Sequence, residues 1–163
     1  MKRYARRTGR VIVLDGWDRV LLMRFAVVSG EGEGFAWLTP GGGVRWWERA
    51  KAAAAREVGE EVGLAVKASG LRAVAFTSGQ ADLGFAAGLF RDDFFVCRVA
   101  GHVVDTRRHT ELEKRNFAEA RWWSVDELLA TEDVVYPYGL GELVGAIVKG
   151  DLPEAPVELP WHL

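Results

Sequence analysis

The chain has 163 residues with a formal net charge of −2, and 49% of them are hydrophobic. This composition is typical of one globular domain, and it provides no strongly basic surface for a nucleic-acid polymer. No apolar stretch approaches the roughly 20 residues that span a bilayer, and no hydrophobic signal segment follows the basic N-terminus, so we expect a cytoplasmic protein without membrane contacts.

The first half of the chain predicts a hairpin, a loop and a helix. Two apolar runs, residues 10–14 and 19–28, are separated by an Asp-Gly turn signal, which is typical of a β-hairpin. Residues 29–34 (SGEGEG) are expected to form a flexible loop. A helix is predicted for residues 49–63, with Gly63 as its C-terminal cap.

The second half of the chain predicts three strands, two helices and two long loops. The strands are residues 71–78, 93–100 and 117–124, and the helices are residues 125–130 and 140–148. The loops are the glycine-rich residues 79–92 and the polar residues 105–116. Long loops without structure of their own are usually functional or mobile. The mixture of elements indicates a three-layer α/β/α or an α+β domain with a mixed sheet.

We expect residues 1–163 to form a single domain. Its core would cover about residues 8–149, and a proline-rich tail at residues 150–163 would pack extended on the surface. The only cysteine, Cys97, excludes an internal disulfide, and its apolar neighbours predict a buried, inert thiol.

The helix predicted at residues 49–63 ends in a group of carboxylates. Glu57, Glu60 and Glu61 are spaced i, i+3, i+4, so they project from one stripe and repel each other by about 0.2–0.5 kcal/mol per pair. One interpretation is a solvated helix face, with Arg56 paired to Glu60. The alternative is a divalent cation site, because Mg²⁺ takes oxygen ligands from carboxylates and substrate phosphates. The preceding TPGGG favours the cation site, since its flexible backbone can turn a carbonyl toward a metal.

Together with its upstream glycine and glutamate, this helix resembles the Nudix box. The pattern is glycine, five residues, glutamate, seven residues, then Arg-Glu-aliphatic-any-Glu-Glu-any-Gly-aliphatic. Its defined positions here are Gly42, Glu48, Arg56, Glu57, Val58, Glu60, Glu61, Gly63 and Leu64. The order of elements across about residues 8–149 also resembles a Nudix domain, which is an α/β/α sandwich around a mixed β-sheet.

The resemblance implies a small-molecule nucleotide substrate and a divalent cofactor. Family members hydrolyse a pyrophosphate bond in a nucleoside diphosphate linked to another group, with Mg²⁺ or Mn²⁺. ADP-ribose or a nucleotide sugar is the expected substrate. The alternatives are a (d)NTP pyrophosphohydrolase and a Nudix-like domain that senses a nucleotide without cleaving it. Either a monomer or a homodimer is compatible with the sequence.

The resemblance also implies roles for individual residues of the box. The metal ligands would be the Gly41 carbonyl, Glu57, Glu60 and Glu61, with Glu60 or Glu57 as the base. Arg56 would orient Glu57, while Gly42, Glu48 and Gly63 would be structural.

Many relatives recruit one more acid from a distant loop as a base or an extra ligand. In this chain the candidates are Glu111 and Glu113 in the segment TELEK, followed by Asp92 and Asp93.

Contacts with the substrate are predicted for Arg24, Trp37, Arg45 and Arg91. A guanidinium matches phosphate oxygens in pairs, and a nucleobase stacks on an indole ring. Arg45 places positive charge next to the metal loop. Trp47 stands where the family commonly has a glycine.

Overall fold

A mixed sheet of nine strands runs through the computed structural model, which describes residues 2–29 and 32–163. The strands are β1 (Arg6–Leu14), β2 (Val20–Ser29), β3 (Gly32–Leu38), β4 (Gly41–Gly43), β5 (Arg72–Asp82), β6 (Ala87–Arg98), β7 (Phe117–Trp123), β8 (Val135–Tyr136) and β9 (Val157–Glu158). The helices are α1 (Ala50–Val62), α2 (Glu111–Asn116), α3 (Val125–Ala130) and α4 (Leu140–Val148), and a 3-10 turn covers Ala68–Gly70. The main sheet order is β8-β3-β2-β1-β6-β5-β9.

The strands β1 and β2 pair only at one end, and β4 pairs with β1 where β2 does not. Along one edge, β1 pairs in parallel with β6 from Arg6 to Leu14. Along its other edge, β1 pairs with β2 at Leu14 and with β4 from Thr8 to Arg10. Because β4 consists of three glycines, its backbone faces the side chains of α1 with no side chains of its own.

Alternating residues of β1 build two hydrophobic cores, one on each face of the sheet. Val11 and Val13 belong to the core that includes Val58 and Val62 of α1. The neighbouring side chains Ile12 and Leu14 belong to the core that includes Leu128 of α3 and Val144 of α4. Because side chains of a strand point to opposite faces in turn, helices cover both faces. The predicted α/β/α sandwich around a mixed sheet is therefore confirmed.

The predictions for the helices agree with the structure. The helices α1, α3 and α4 lie where the sequence predicts them. Gly63 ends α1 with a left-handed φ of 72°, a conformation that costs glycine little. Ser124 and Glu127 form the predicted capping box at the start of α3. Cys97 is buried, and burial raises the pKa of its thiol to about 11.

The prediction of a long loop at residues 79–92 is wrong. Antiparallel pairing continues from Arg72↔Val96 to Asp82↔Ala87, so only residues 83–86 connect β5 to β6. Pairing between the two strands of this hairpin thus orders a sequence whose glycines locally favour a loop.

The two other predicted loops are shorter than expected. In the segment at residues 29–34, Ser29 ends β2 and residues 32–34 begin β3, while residues 30 and 31 lie outside the described part. In the segment at residues 105–116, Thr110 and Glu113 form a capping box that starts α2. None of the helices in the described part of the chain has the length and hydropathy needed to cross a bilayer.

Candidate active site

Arg56 lies at the centre of the acidic group on α1. Its Nε and Nη2 donate to the two carboxylate oxygens of Glu48 at 2.9 and 2.8 Å. Its Nη1 donates to Glu57 at 2.8 Å and to Glu60 at 3.4 Å, and its Nη2 also reaches the Gly43 carbonyl at 3.0 Å. The hydrogen bonds from Arg56 lower the pKa of Glu48 to about 2. Arg56 therefore ties β4 to α1 and holds the carboxylates in place.

Gly42 leaves the space that the Glu57 carboxylate occupies. A Cβ at residue 42 would lie 2.5 Å from Glu57 Cδ and 2.6 Å from Oε2. Burial raises the pKa of Glu57, and the bond from Arg56 works against that rise. A glycine at this position is therefore required for the observed placement of the carboxylate.

Glu61 is a buried carboxylate beside β4. Its side chain accepts a hydrogen bond from the Gly41 N–H at 2.7 Å, and the residue is only 6% exposed. Burial raises the pKa of Glu61 to about 8, because the charged form loses its hydration. His109 Nε2 lies 2.6 Å from the Glu61 carbonyl oxygen and so holds the last turn of α1. No local sequence pattern indicates this contact with His109.

The ligand atoms expected from the box are of the type that a divalent cation takes, although the side chains are not gathered around one point. Within residues 2–29 and 32–163, no three His, Cys, Asp or Glu side chains lie close enough together to hold a metal ion. The carboxylates are instead engaged separately, Glu57 with Arg56 and Glu61 with the Gly41 N–H. Every expected ligand is an oxygen atom, as Mg²⁺ prefers. Burial also raises the pKa of Glu57 and of Glu61, and a cation would offset the same cost of burying charge.

The helix α2 brings one of the two predicted loop acids near the box. After burial, the charge of Glu113 is a further cause that raises the pKa of Glu57 and Glu61. The carboxylate of Glu113 therefore lies within electrostatic range of both groups. The side chain of Glu111 is 86% exposed and pairs with Lys114 at 3.4 Å. The structure thus separates two acids that the sequence left equivalent.

The other two acids, Asp92 and Asp93, lie in β6 and not in a loop. Asp92 is buried and accepts hydrogen bonds from Thr8 at 2.6 Å and Thr77 at 3.2 Å. Asp93 forms an ion pair with Arg7 at 2.9 Å. Both carboxylates have partners that hold the sheet together.

Arg24 and Trp37, two of the predicted substrate contacts, lie together on β2 and β3. Trp37 is 3% exposed, packs edge-on against Trp123 and donates its indole N–H to Asp133 at 3.1 Å. The guanidinium of Arg24 lies 4.2 Å from the ring centre of Phe35. Because Trp37 is buried in the core, its ring is not available for a ligand to stack on, and the prediction that Trp37 contacts the substrate is wrong.

Arg45 and Arg91 lie elsewhere, so the structure does not bring the four predicted substrate contacts together. Arg45 is exposed in the loop before α1, with its guanidinium 5.6 Å from the ring centre of Trp47. Arg91 pairs with Asp93 at 2.9 Å. In β6, Arg91 alternates with Asp92, so it points to the face that α1 covers.

A cavity of about 600 Å³ lies on the opposite face of the sheet from α1. Its floor contains Arg6, Thr8 and Arg10 of β1, with Asp92 of β6. Arg10 also donates to the Thr39 carbonyl at 2.9 Å, two residues before Gly41. Arg6, Thr8 and Arg10 were not predicted from the sequence, although three polar side chains at alternate positions of an apolar strand are a usable signal.

The charges of the cavity act on the charges of the box. After burial and the Gly41 N–H, the charge of Arg10 is a further influence on Glu61, and it lowers the pKa of that carboxyl. Burial lowers the pKa of Arg6, while the charges of Asp92 and Glu57 act in the opposite direction. Arg6 and Arg10 of the cavity therefore lie within electrostatic range of Glu57 and Glu61.

Comparison with known proteins places this geometry in a family. A family model described as NUDIX domain matches residues 4–140. A search of curated protein sequences gave no match.

Solved structures share the fold at low sequence identity. A MutT protein from Bacillus halodurans is 20% identical, with a TM-score of 0.62 over 96% of this chain and 89% of that one. The NUDIX domain of Shewanella oneidensis NrtR, complexed with ADP ribose, is 14% identical, with a TM-score of 0.65 over 91% and 90%. An ADP-ribose pyrophosphatase from Streptococcus suis is 18% identical, with a TM-score of 0.58 over 94% and 98%.

Proposed function

The chain belongs to the Nudix hydrolase family, and we propose that it hydrolyses the pyrophosphate bond of a nucleoside diphosphate linked to another group. ADP-ribose or a nucleotide sugar is the proposed substrate type, and Mg²⁺ is the proposed cofactor, with Mn²⁺ as the alternative. One observation carries the proposal: Arg56 and the glycine strand β4 hold Glu57, Glu60 and Glu61 in place, and Arg10 of the cavity of about 600 Å³ binds the Thr39 carbonyl just before that strand. Small-molecule sites in proteins have volumes of about 300–1,000 Å³.

The residues of the box divide the chemistry among them. Glu57, Glu60, Glu61 and the Gly41 carbonyl would hold the cation. When bound, Mg²⁺ neutralises the phosphate oxygens as negative charge develops on them.

Proton transfer is the task of a carboxylate. Glu57 or Glu60 would accept a proton from a water molecule while the oxygen of that water forms a bond to phosphorus. The bridging P–O bond breaks at the same time, and two monophosphate esters are released. Glu113 is the alternative base, because its charge reaches the same region. Arg56 would keep Glu57 oriented, since their side chains are joined at 2.8 Å.

Two arginines are suitably placed for the diphosphate. Arg6 and Arg10 lie on the same face of β1, and a guanidinium can bind two phosphate oxygens at once. The ADP-ribose complex of the Shewanella oneidensis domain and the Streptococcus suis ADP-ribose pyrophosphatase, which share this fold, support a substrate of the ADP-ribose type.

The test is a phosphate-release screen with a coupled phosphatase. The panel contains ADP-ribose, nucleotide sugars, dinucleoside polyphosphates and all (d)NTPs, each with and without Mg²⁺. We expect metal-dependent release of two monophosphate esters from ADP-ribose or a nucleotide sugar. Release of pyrophosphate from (d)NTPs would replace the proposed substrate with a triphosphate. No hydrolysis, combined with thermal stabilisation by one nucleotide, would instead indicate a domain that senses the nucleotide.

A further inference from the structure

The C-terminal tail folds back onto the sheet and is held there by backbone hydrogen bonds. Its strand β9 pairs in parallel with Ala75 and Phe76 of β5. The Leu159 N–H donates to the Phe76 carbonyl at 2.9 Å, and the Trp161 indole N–H donates to the Gln80 carbonyl at 3.1 Å. The last residues of the chain therefore have a defined position over the cavity.

Trp161 lies in a gap that β5 leaves for it. A Cβ at Gly79 would lie 2.2 Å from both Cγ and Cδ1 of the Trp161 indole. The ring also packs edge-on against Phe90, with the ring centres 6.3 Å apart. Any side chain at residue 79 would therefore push the indole out of its place.

His162 completes an aromatic wall beside Trp161. Its imidazole stacks on Tyr136 with the ring centres 4.4 Å apart and the planes inclined by 28°. Its Nε2 lies 3.9 Å from a carboxylate oxygen of Asp92, which belongs to the cavity floor. Trp161, His162 and Leu163 all line the cavity of about 600 Å³.

Arg10 and Trp161 lie at different places along the cavity. Arg10 belongs to β1, which pairs with β4 beside the acids of the box. Trp161 lies against β5, two strands away in the order β1-β6-β5. Through Phe90, the Gly79 beneath Trp161 is level with Arg6, so with strands about 4.8 Å apart roughly 10 Å separates Arg6 from Gly79, which is the length scale of a nucleoside.

We propose that the C-terminal residues Trp161–Leu163 bind the nucleoside part of the substrate, with the Trp161 indole as the surface on which the base stacks. This assignment rests on the proposed function. It places the phosphates beside Arg6 and Arg10 of β1, and it makes the tail a determinant of substrate specificity. Every nucleobase has a π-face, so an indole wall provides affinity for a base without fixing its identity.

The test is the binding of ADP-ribose to the full chain in EDTA, measured by calorimetry. Trp161→Ala removes the indole, and Gly79→Ala displaces it without removing it. We expect both substitutions to raise the Kd for ADP-ribose about tenfold or more, the scale of one lost base–aromatic stack. Trp161→Phe keeps an aromatic face and is expected to restore most of the affinity.

Matched controls separate lost stacking from general disturbance. Trp17→Ala removes an indole that is 79% exposed, and a methyl group added at Gly34 meets nothing within 4 Å. Both controls are expected to retain the wild-type Kd. An unchanged Kd in Trp161→Ala and Gly79→Ala would overturn the assignment, whether or not their melting temperatures fall.

The measurement also distinguishes this inference from the proposed function. Binding of ADP-ribose that depends on Trp161, without hydrolysis when Mg²⁺ is added, would contradict the proposed hydrolase activity but support nucleoside binding by the C-terminal residues. Hydrolysis of ADP-ribose with the same KM in wild type and in Trp161→Ala would support the proposed hydrolase activity but contradict nucleoside binding by Trp161.

Discussion

A single guanidinium explains how the carboxylates of α1 are accommodated. Arg56 contacts Glu48, Glu57 and Glu60 at 2.8–3.4 Å and also the Gly43 carbonyl. Repulsion between like charges one helical turn apart costs a few tenths of a kcal/mol, which charge-assisted hydrogen bonds readily exceed. Glu48 makes the most extensive of these contacts, because both of its oxygens accept from Arg56.

The pair of Glu48 and Arg56 predicts a pH dependence of stability. Because Arg56 lowers the pKa of Glu48 from 4.5 to about 2, the pair stabilises the fold fully above pH 4.5 and loses this effect as the pH falls toward 2. Glu48→Gln is therefore expected to lower the free energy of unfolding by about 1–3 kcal/mol at pH 7, and by less at pH 3. Urea unfolding at both pH values measures the difference, with Glu154→Gln on the exposed tail as the control. An equal loss at both pH values would contradict the assignment.

The two acids of α2 provide a second comparison at the level of single residues. Glu113→Gln is expected to lower kcat about tenfold or more, because the charge of Glu113 reaches Glu57 and Glu61. Glutamine can still cap α2, so the fold should be retained. Glu111→Gln is the matched control, and we expect less than a twofold change because its side chain is 86% exposed. Equal effects of the two substitutions on kcat would remove Glu113 from the site.

At the scale of elements, the glycine strand β4 positions the acids of α1. It takes the place of β2 beside β1 at Thr8–Arg10, and its backbone provides the N–H that binds Glu61 and the carbonyl that binds Arg56. The helix and the strand therefore form one unit, and β4 acts through its lack of side chains.

Neighbouring glycines of β4 predict opposite outcomes. In Gly42→Ala the added methyl group would lie 2.5 Å from Glu57 Cδ, so the carboxylate must move and kcat is expected to fall at least tenfold. In Gly43→Ala the added methyl group meets nothing within 4 Å, and near-normal turnover is expected. Turnover and melting temperature of the two variants should be compared directly. Similar activity in both would show that the placement of Glu57 does not limit the reaction.

At the scale of the whole molecule, the sequence predicts the parts that local rules determine. The position of α1, the cap at Gly63 and the capping box of α3 follow from short-range patterns. The hairpin of β5 and β6 does not, because its register continues through residues whose local preference is a loop. A strand of this kind is stabilised by the neighbouring strands of the sheet, and the sequence of one segment alone does not contain that information.

The same limit applies to the site. Glu57, Glu60 and Glu61 lie within one helix, so their spacing identifies them. The cavity combines β1, β6 and the last residues of the chain, and its members share no sequence pattern. Trp161 reaches its position through the space above Gly79, a contact between residues 82 positions apart that only the folded chain reveals.

The central claim is that the acids of α1 perform metal-dependent hydrolysis, and the turnover of Glu60→Gln tests it most directly. The side chain of Glu60 is 35% exposed, so the substitution leaves the buried core intact. With Mg²⁺ and the best substrate of the panel, we predict at least about a hundredfold lower kcat than in wild type, at an unchanged melting temperature. A kcat within a few-fold of wild type would contradict the claim that Glu60 takes part in the reaction.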